Sequence, residues 1–315
     1  MKAICLATIG LLGVVLSHPS ILAETSANKA QVELQGLSTA TKGFPYILKV
    51  TLDGPGSIPS ATLFDETLPI RVTFVAVDAG RTYALSSSKG MDIVITTQGG
   101  ERRDSNNQGM WQRHVERGKQ QSVLVDLASI RPELGRGTIF YDLEPGQYDV
   151  TVTLPGDPVP SNTIRVRVVA PDTAEQQFLA NILKQGSFSL GKGVNWSRVL
   201  RNRVRLPADE WDPLSSATKE QTAFHKLLAD LIASDKTLAP DDENKVKMAP
   251  LPKFLEPERE CLLHEVTVAA TGQRDEAEAS RLMKQYPDLE WRLQDLQAGK
   301  KDFLRFKKLA ANKGK

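Results

Sequence analysis

The sequence predicts a chain of two parts, an antiparallel β-sandwich over residues 30–170 and a small helical domain over 172–315. Three observations carry that expectation. Between 30 and 170, apolar residues recur at every second position in short runs, cut by Gly- and Pro-rich turns. After Pro171 the apolar spacing changes to three and four, the helical interval. The length, 315 residues, suits two units of roughly 150 residues each.

The chain starts with one charge, Lys2, ahead of an apolar run from Ile4 to Leu16. His18, Pro19 and Ser20 break the run, and Ile21-Leu22-Ala23 precedes the first acid, Glu24. This is the pattern of a secretory signal peptide over residues 1–23, with cleavage near Ala23. The run is shorter than the roughly 18 apolar residues that a membrane span takes. The expectation is an exported chain, periplasmic or extracellular. Removing Lys2 from 40 Lys+Arg leaves 39 against 38 Asp+Glu, a net charge of +1. That balance argues against nucleic acid as the partner. Of the two cysteines, Cys5 leaves with the signal, so Cys261 has no partner in its own chain and core burial must stabilise the fold.

The strand runs follow. Tyr46, Leu48, Val50 and Leu52 share one face, with Lys49 and Thr51 on the other. Val72, Phe74 and Ala76 repeat the alternation, as do Val123, Val125 and Leu127, and later Ile164, Val166 and Val168 with Arg165 and Arg167 outward. Ile93-Val94-Ile95 and Thr138-Ile139-Phe140-Tyr141 read as β-rich runs too. About eight short strands punctuated by turns predict the sandwich.

The segment Leu143-Glu144-Pro145-Gly146-Gln147-Tyr148, followed by alternating Val150, Val152 and Leu154, resembles the tyrosine corner of immunoglobulin-like and fibronectin type III sandwiches. The resemblance implies that Tyr148 turns its hydroxyl back to upstream backbone, with Leu143, Pro145 and Gly146 shaping the corner. The order of Val72 to Val77, Ile93, Gly118-Lys119-Gln120, Val123 to Leu127 and the Pro-Gly-x-Tyr corner also resembles the bacterial intracellular-proteinase-inhibitor sandwich, the BsuPI domain, over roughly residues 65–170. That likeness implies noncovalent protein binding and carries no inhibitory residue across.

Residues 98–121 are polar and long for a sandwich connection. They contain Arg102, Arg103, Trp111, Arg113 and His114, and Trp and Arg dominate binding hot spots. Two readings stay open. The segment is a partner-contacting loop, or a hairpin with its turn at Asn106-Asn107 and a second strand from Met110 to Val115 that pairs into the sheet.

In the helical half, Phe178, Ile182 and Leu183 share a face. Phe224, Leu227, Leu228, Leu231 and Ile232 predict a helix near 218–234. Pro257 suits the first turn of another helix, with Leu262, Leu263 and Val266 inward. Ala279, Leu282, Met283 and Tyr286 mark a third, stopped by Pro287; Leu289, Leu293 and Leu296 mark a fourth, stopped by Gly299. The stretch 235–256 reads as a linker or open loop. Gly272 to Ala277 followed by Tyr286-Pro287 resembles one tetratricopeptide-type hairpin, without the further copies that a solenoid needs.

The chemistry-bearing patterns are thin. Gly186 to Gly193 approaches a phosphate-binding loop, but Gly193 stands where a Ser or Thr must meet magnesium, and a helix precedes it where a strand is required. Cys261 and His264 lie one helical turn apart, which fits a buried Cys beside a His better than a nucleophile pair or zinc site. Asp209, Glu210 and Asp212 flank Trp211 as at a solvated helix start. Asn195-Trp196-Ser197 is a formal glycosylation sequon. Arg198, Arg201, Arg203 and Arg205 form a basic patch, and the tail from Lys300 to Lys315 is a basic amphipathic segment able to touch anionic membrane. The expectation is an exported, noncatalytic protein that binds another protein or an envelope component, with no cofactor and no metal. The alternatives are an exported protease inhibitor and a carboxylate-dependent hydrolase.

Overall fold

The computed structural model describes residues 30–59, 70–85, 102–103, 111–129, 140–154, 160–185, 189–190, 193–201, 208–233, 250–271, 273 and 275–297. The segment 1–23, expected to be a signal peptide, the run 93–95, Asn106-Asn107, Arg203, Arg205, residues 235–249 and the tail 300–315 lie outside them. The protein is mixed β and α, with antiparallel and mixed sheets and seven α-helices among the described residues.

The strands are β1 (Gln31–Gln35), β2 (Thr39–Thr41), β3 (Ile47–Asp53), β4 (Gly56–Pro59), β5 (Arg71–Ala76), β6 (Thr82–Leu85), β7 (Arg102–Arg103), β8 (Trp111–Val115), β9 (Gln120–Asp126), β10 (Gly146–Thr153), β11 (Ile164–Val169), β12 (Ser189–Leu190) and β13 (Gly193–Val194). They form a three-stranded sheet, β1-β3-β9, a five-stranded sheet, β2-β11-β10-β5-β6, a three-stranded sheet, β4-β8-β7, and the pair β12-β13. The expected purely antiparallel pairing is corrected at one place: β2 runs parallel to β11, with Ala40 opposite Val168. Residues 140 and 141, expected in a strand, lie in a 3-10 turn, Phe140–Asp142, where both rings are buried. Phe140 stacks on Tyr46 with ring centroids 5.5 Å apart, so aromatic packing and not strand pairing uses this β-rich sequence.

Alternation explains the main core. Leu48, Val50 and Leu52 of β3, Val123 and Val125 of β9, Val72 and Phe74 of β5, and Tyr148, Val150 and Val152 of β10 join one hydrophobic cluster. The cluster continues into Phe178 and Ile182 of α1 (Thr173–Lys184), Trp196 and Val199 of α2 (Trp196–Arg201) and Trp211 of α3 (Ala208–Trp211). Leu183, expected on the inner face of α1, is exposed, because 178 and 182 already define the buried stripe and 183 falls beside it. Phe178 stacks on Phe44, whose neighbour Gly43 has φ +91°. A Cβ at Gly43 would lie 2.6 Å from the Leu179 side chain, so only glycine fits under α1.

A second cluster covers the outer side of β3 and β9. Ile47 and Leu124 pack against Phe224, Leu227, Leu228, Leu231 and Ile232 of α4 (Ser216–Ala233) and Leu262 and Leu263 of α5 (Glu256–Thr271). A third gathers Cys261 with Leu282 of α6 (Glu276–Gln285), Leu289, and Leu293 of α7 (Glu290–Gln297). Helix starts carry their caps: Asp172 and Glu175 form a reciprocal capping box on α1, and Asp275 accepts from the Glu278 N–H on α6.

Lys49 and Thr51, expected on the opposite side of β3 from its core face, do lie there, yet both are buried. The helices supply their surroundings. Lys49 Nζ stands 2.6 Å from Asp288, in the turn Pro287–Leu289, and the Ser122 hydroxyl donates to the same carboxylate at 2.7 Å. The Trp291 indole N–H donates to the Ser122 carbonyl. Further along, Thr41 N–H donates to Gln221 Oε1 at 2.6 Å, and Gln221 Nε2 donates back to the Thr41 carbonyl. Thr41 and Thr218 share a hydroxyl hydrogen bond of 2.7 Å, and Thr218 donates to buried Glu175.

Candidate binding face

Two regions of the described structure hold groups that can do chemistry: a buried polar knot and an open sheet face. The knot sits where β9 ends. Asp126 Oδ1 accepts from the backbone N–H of Tyr46 at 3.2 Å and of Ala128 at 3.0 Å, while Oδ2 is 3.0 Å from His225 Nε2. A carboxylate with two backbone donors is an acceptor, so Nε2 carries the proton and donates. His225 Nδ1 is buried and has no hydrogen-bond partner among the described residues. The Tyr141 hydroxyl, with one proton to donate, has the carbonyls of Ala128 and Val194 both within hydrogen-bond reach. Burial, with the Asp126 charge adding to it, pushes the Tyr141 phenol well above its ordinary range, so it stays protonated. His225 is 1% exposed and Asp126 0%. A His–Asp pair so enclosed offers substrate no approach; it joins β9 to α4.

The Cys261 thiol is buried, and that burial pushes its pKa up to about 12. It is therefore a protonated, unreactive thiol at neutral pH. His264, on the next turn, is held below its ordinary value by burial, against the opposing pull of Glu278, Asp275 and Glu276. Trp211 is buried, while Asp209 lies exposed at the start of α3. Asn195 is fully buried, and its side-chain oxygen accepts from the Arg198 N–H, so the sequon's asparagine sits inside the fold. Among the described residues no group of three or more His, Cys, Asp and Glu stands ready for a metal ion, and no helix is long and apolar enough to cross a membrane.

The sequence-derived candidates lie elsewhere. Arg102 and Arg103 form β7, and Trp111, Arg113 and His114 lie in β8. Arg103 pairs with Trp111, Arg102 with Gln112, and β8 pairs in turn with β4, Ile58 opposite Arg113. The segment is thus a hairpin joined to a third strand, and its turn lies outside the described residues. His114 is exposed, and the next residue, Val115, is buried. At the corner, the Tyr148 hydroxyl donates to the Glu144 carbonyl at 2.6 Å. Tyr148 and Leu143 are buried, Pro145 is exposed, and Gly146 opens β10. Burial raises the Tyr148 phenol above its ordinary value.

The open face belongs to the five-stranded sheet. Side chains alternate, so residues opposite the core positions of β5, β10 and β11 share one surface. Asp149 faces Val75 on one side and Arg165 on the other. Gln147 faces Arg167, and the Val77 N–H donates to the Gln147 carbonyl, which carries β5's alignment one residue pair further. Thr151 faces Thr73. Val75 and Val77 are 37% and 40% exposed, and Arg71, Arg165 and Arg167 are exposed. Arg165 grips Asp149 through two bonds, of 2.9 and 3.1 Å. Each partner shifts the other: Arg165 holds the Asp149 carboxyl below its usual range, and Asp149 raises the guanidinium. The alternation over Val72, Phe74 and Ala76 already implied that 71, 73, 75 and 77 point outward. The signal worth reading there was two valines where a solvated face usually carries polar residues.

No family model matches the chain, and no curated protein matches it.

Proposed function

We propose that this chain is an exported, noncatalytic binding protein. Its β part is an immunoglobulin-like sandwich of bacterial type, and the helices brace one side of it. The partner is another protein or an envelope component, met by the open face of the five-stranded sheet, with the β7–β8 hairpin as a second candidate element. One observation carries the reading: the helices bury the outer side of β3 and β9, while the outer side of β5, β10 and β11 keeps Val75 and Val77 exposed beside arginines. Exposed apolar groups on an otherwise polar surface mark contact sites when they cluster. The export signal at residues 1–23 and the hydroxyl bond of Tyr148 support the two other parts of the proposal.

Photo-cross-linking tests it. A photoreactive residue at Thr73 or Val77, in the full-length gene expressed in the producing cell, is expected to trap one discrete protein. The same residue at Glu220, on the exposed side of α4, is expected to trap none. Adducts of equal yield from all three positions, or none from the sheet, would overturn the proposal. A protease as the trapped partner, inhibited on binding, would turn the reading into that of an inhibitor.

A further inference from the structure

We infer that the open sheet face takes an acidic protein surface with an apolar centre; the inference deepens the binding reading above and rests on it. Four cationic or anionic side chains stand on the described face: Arg71, Arg165, Arg167 and Asp149. Asp149 is fully engaged by Arg165, through both of its oxygens. Arg71 and Arg167 therefore give the face an excess of positive charge. Arg167 sits opposite Gln147, which is itself joined to Val77, so valine, glutamine and arginine form a strip across three strands. Val75, Asp149 and Arg165 form the adjacent strip. With strands about 4.8 Å apart, Val77 and Arg167 stand on the order of 10 Å from each other.

The chemistry of this surface selects its partner. A guanidinium binds a carboxylate through two parallel N–H donors, so the two arginines not taken up by Asp149, Arg71 and Arg167, suit Glu or Asp side chains. Apolar contact beside such pairs excludes water and strengthens the attraction within them, and Val75 and Val77 provide that contact. Nucleic acid or lipid headgroups fit less well. Polyanion binding draws on many cations, with about one counterion released per phosphate neutralised, and the face has two spare arginines and an apolar middle. The near-neutral chain, with 40 Lys+Arg against 38 Asp+Glu, adds no general attraction for polyanions.

Fluorescence anisotropy with the full chain tests the inference. The probe is a labelled extended peptide of alternating Glu and Val; its comparators are the same peptide with Lys for Glu, heparin, and phosphatidylglycerol vesicles. The Glu peptide is expected to bind, to weaken at least tenfold between 50 and 300 mM salt, and to weaken at least tenfold in the double variant Arg71→Glu, Arg167→Glu. The pair Val75→Asp, Val77→Asp is expected to do the same, and Lys226→Glu on α4 to change nothing. The milder pair Arg71→Gln, Arg167→Gln, with an unchanged urea midpoint, separates lost binding from lost folding. Equal binding by the charge-reversed variant, preference for the Lys peptide, or binding of heparin or vesicles in place of the Glu peptide each overturns the inference. A partner trapped at Val77 whose affinity ignores the arginine variants would refute the acidic partner and leave the binding reading standing.

Discussion

On the three-stranded sheet the outward residues include Ile47, Lys49 and Thr51 of β3 and Ser122, Leu124 and Asp126 of β9, and all six are buried. On the five-stranded sheet the outward residues include Arg71, Thr73, Val75, Asp149, Arg165 and Arg167, and they meet solvent. Both sets mix charge, hydroxyl and aliphatic side chains, so composition does not separate the covered face from the open one. What separates them lies far along the chain. Asp126 has His225, Lys49 and Ser122 have Asp288, and Ile47 and Leu124 have the apolar side of α4. A polar residue at an outward strand position is solvated by default; here a later helix replaces the water with matched partners.

Substitutions on the two faces should therefore differ in size. Asp126→Ala leaves two backbone N–H groups and His225 without their acceptor, and is expected to cost about 3–5 kcal/mol, the range for breaking a buried pair. A urea denaturation midpoint close to that of the parent would show that the knot contributes nothing. Lys49→Met comes next, at about 1–3 kcal/mol, because Asp288 keeps the Ser122 hydroxyl and some solvent. The loss should persist in 0.5 M salt, since buried pairs are weakly screened. Tyr148→Phe removes a single hydrogen bond from the inner side of the open sheet and is expected to cost about 1 kcal/mol, read as a lower thermal midpoint with unchanged secondary structure.

The exposed pair marks the other end of the scale. Asp149→Asn with Arg165→Gln is expected to lower the urea midpoint at neutral pH only slightly. That small effect is lost in acid. The folded carboxyl titrates below its ordinary value near 3.8, so the contribution of the pair is present above that value and fades as pH falls through the depressed one. Parent and variant should then differ slightly at neutral pH and converge as the carboxyl becomes protonated. A midpoint shift at neutral pH as large as that of Lys49→Met would erase the distinction between the two faces.

Local pattern in the sequence was enough to anticipate some elements and blind to others. The runs at Tyr46 to Leu52, Val72 to Ala76 and Val123 to Val125, and the helix near 218–234, rest on periodicity within ten to twenty residues, and elements stand at those places. β1, β2, β4 and β6 escaped because three to five residues carry little periodicity. The Asp126–His225 pair spans 99 positions and Lys49–Asp288 more than twice that, and neither leaves a local trace. The hairpin at 102–115 stood between two readings because a polar, Arg-rich stretch serves loops and edge strands alike.

The grip of Gln221 on Thr41 bears on how the chain reaches this state. β11 covers one side of β2, and the N–H and C=O of Thr41 turn to the other, where another strand would normally pair. A side-chain amide offers the same donor and acceptor and ends the ladder there. Until residue 221 has been synthesised and α4 has formed, that edge stays open to any passing strand, including one from a second copy. Nascent chains stopped short of α4 should therefore self-associate, and the rate of assembly should be limited by a closure spanning 180 residues.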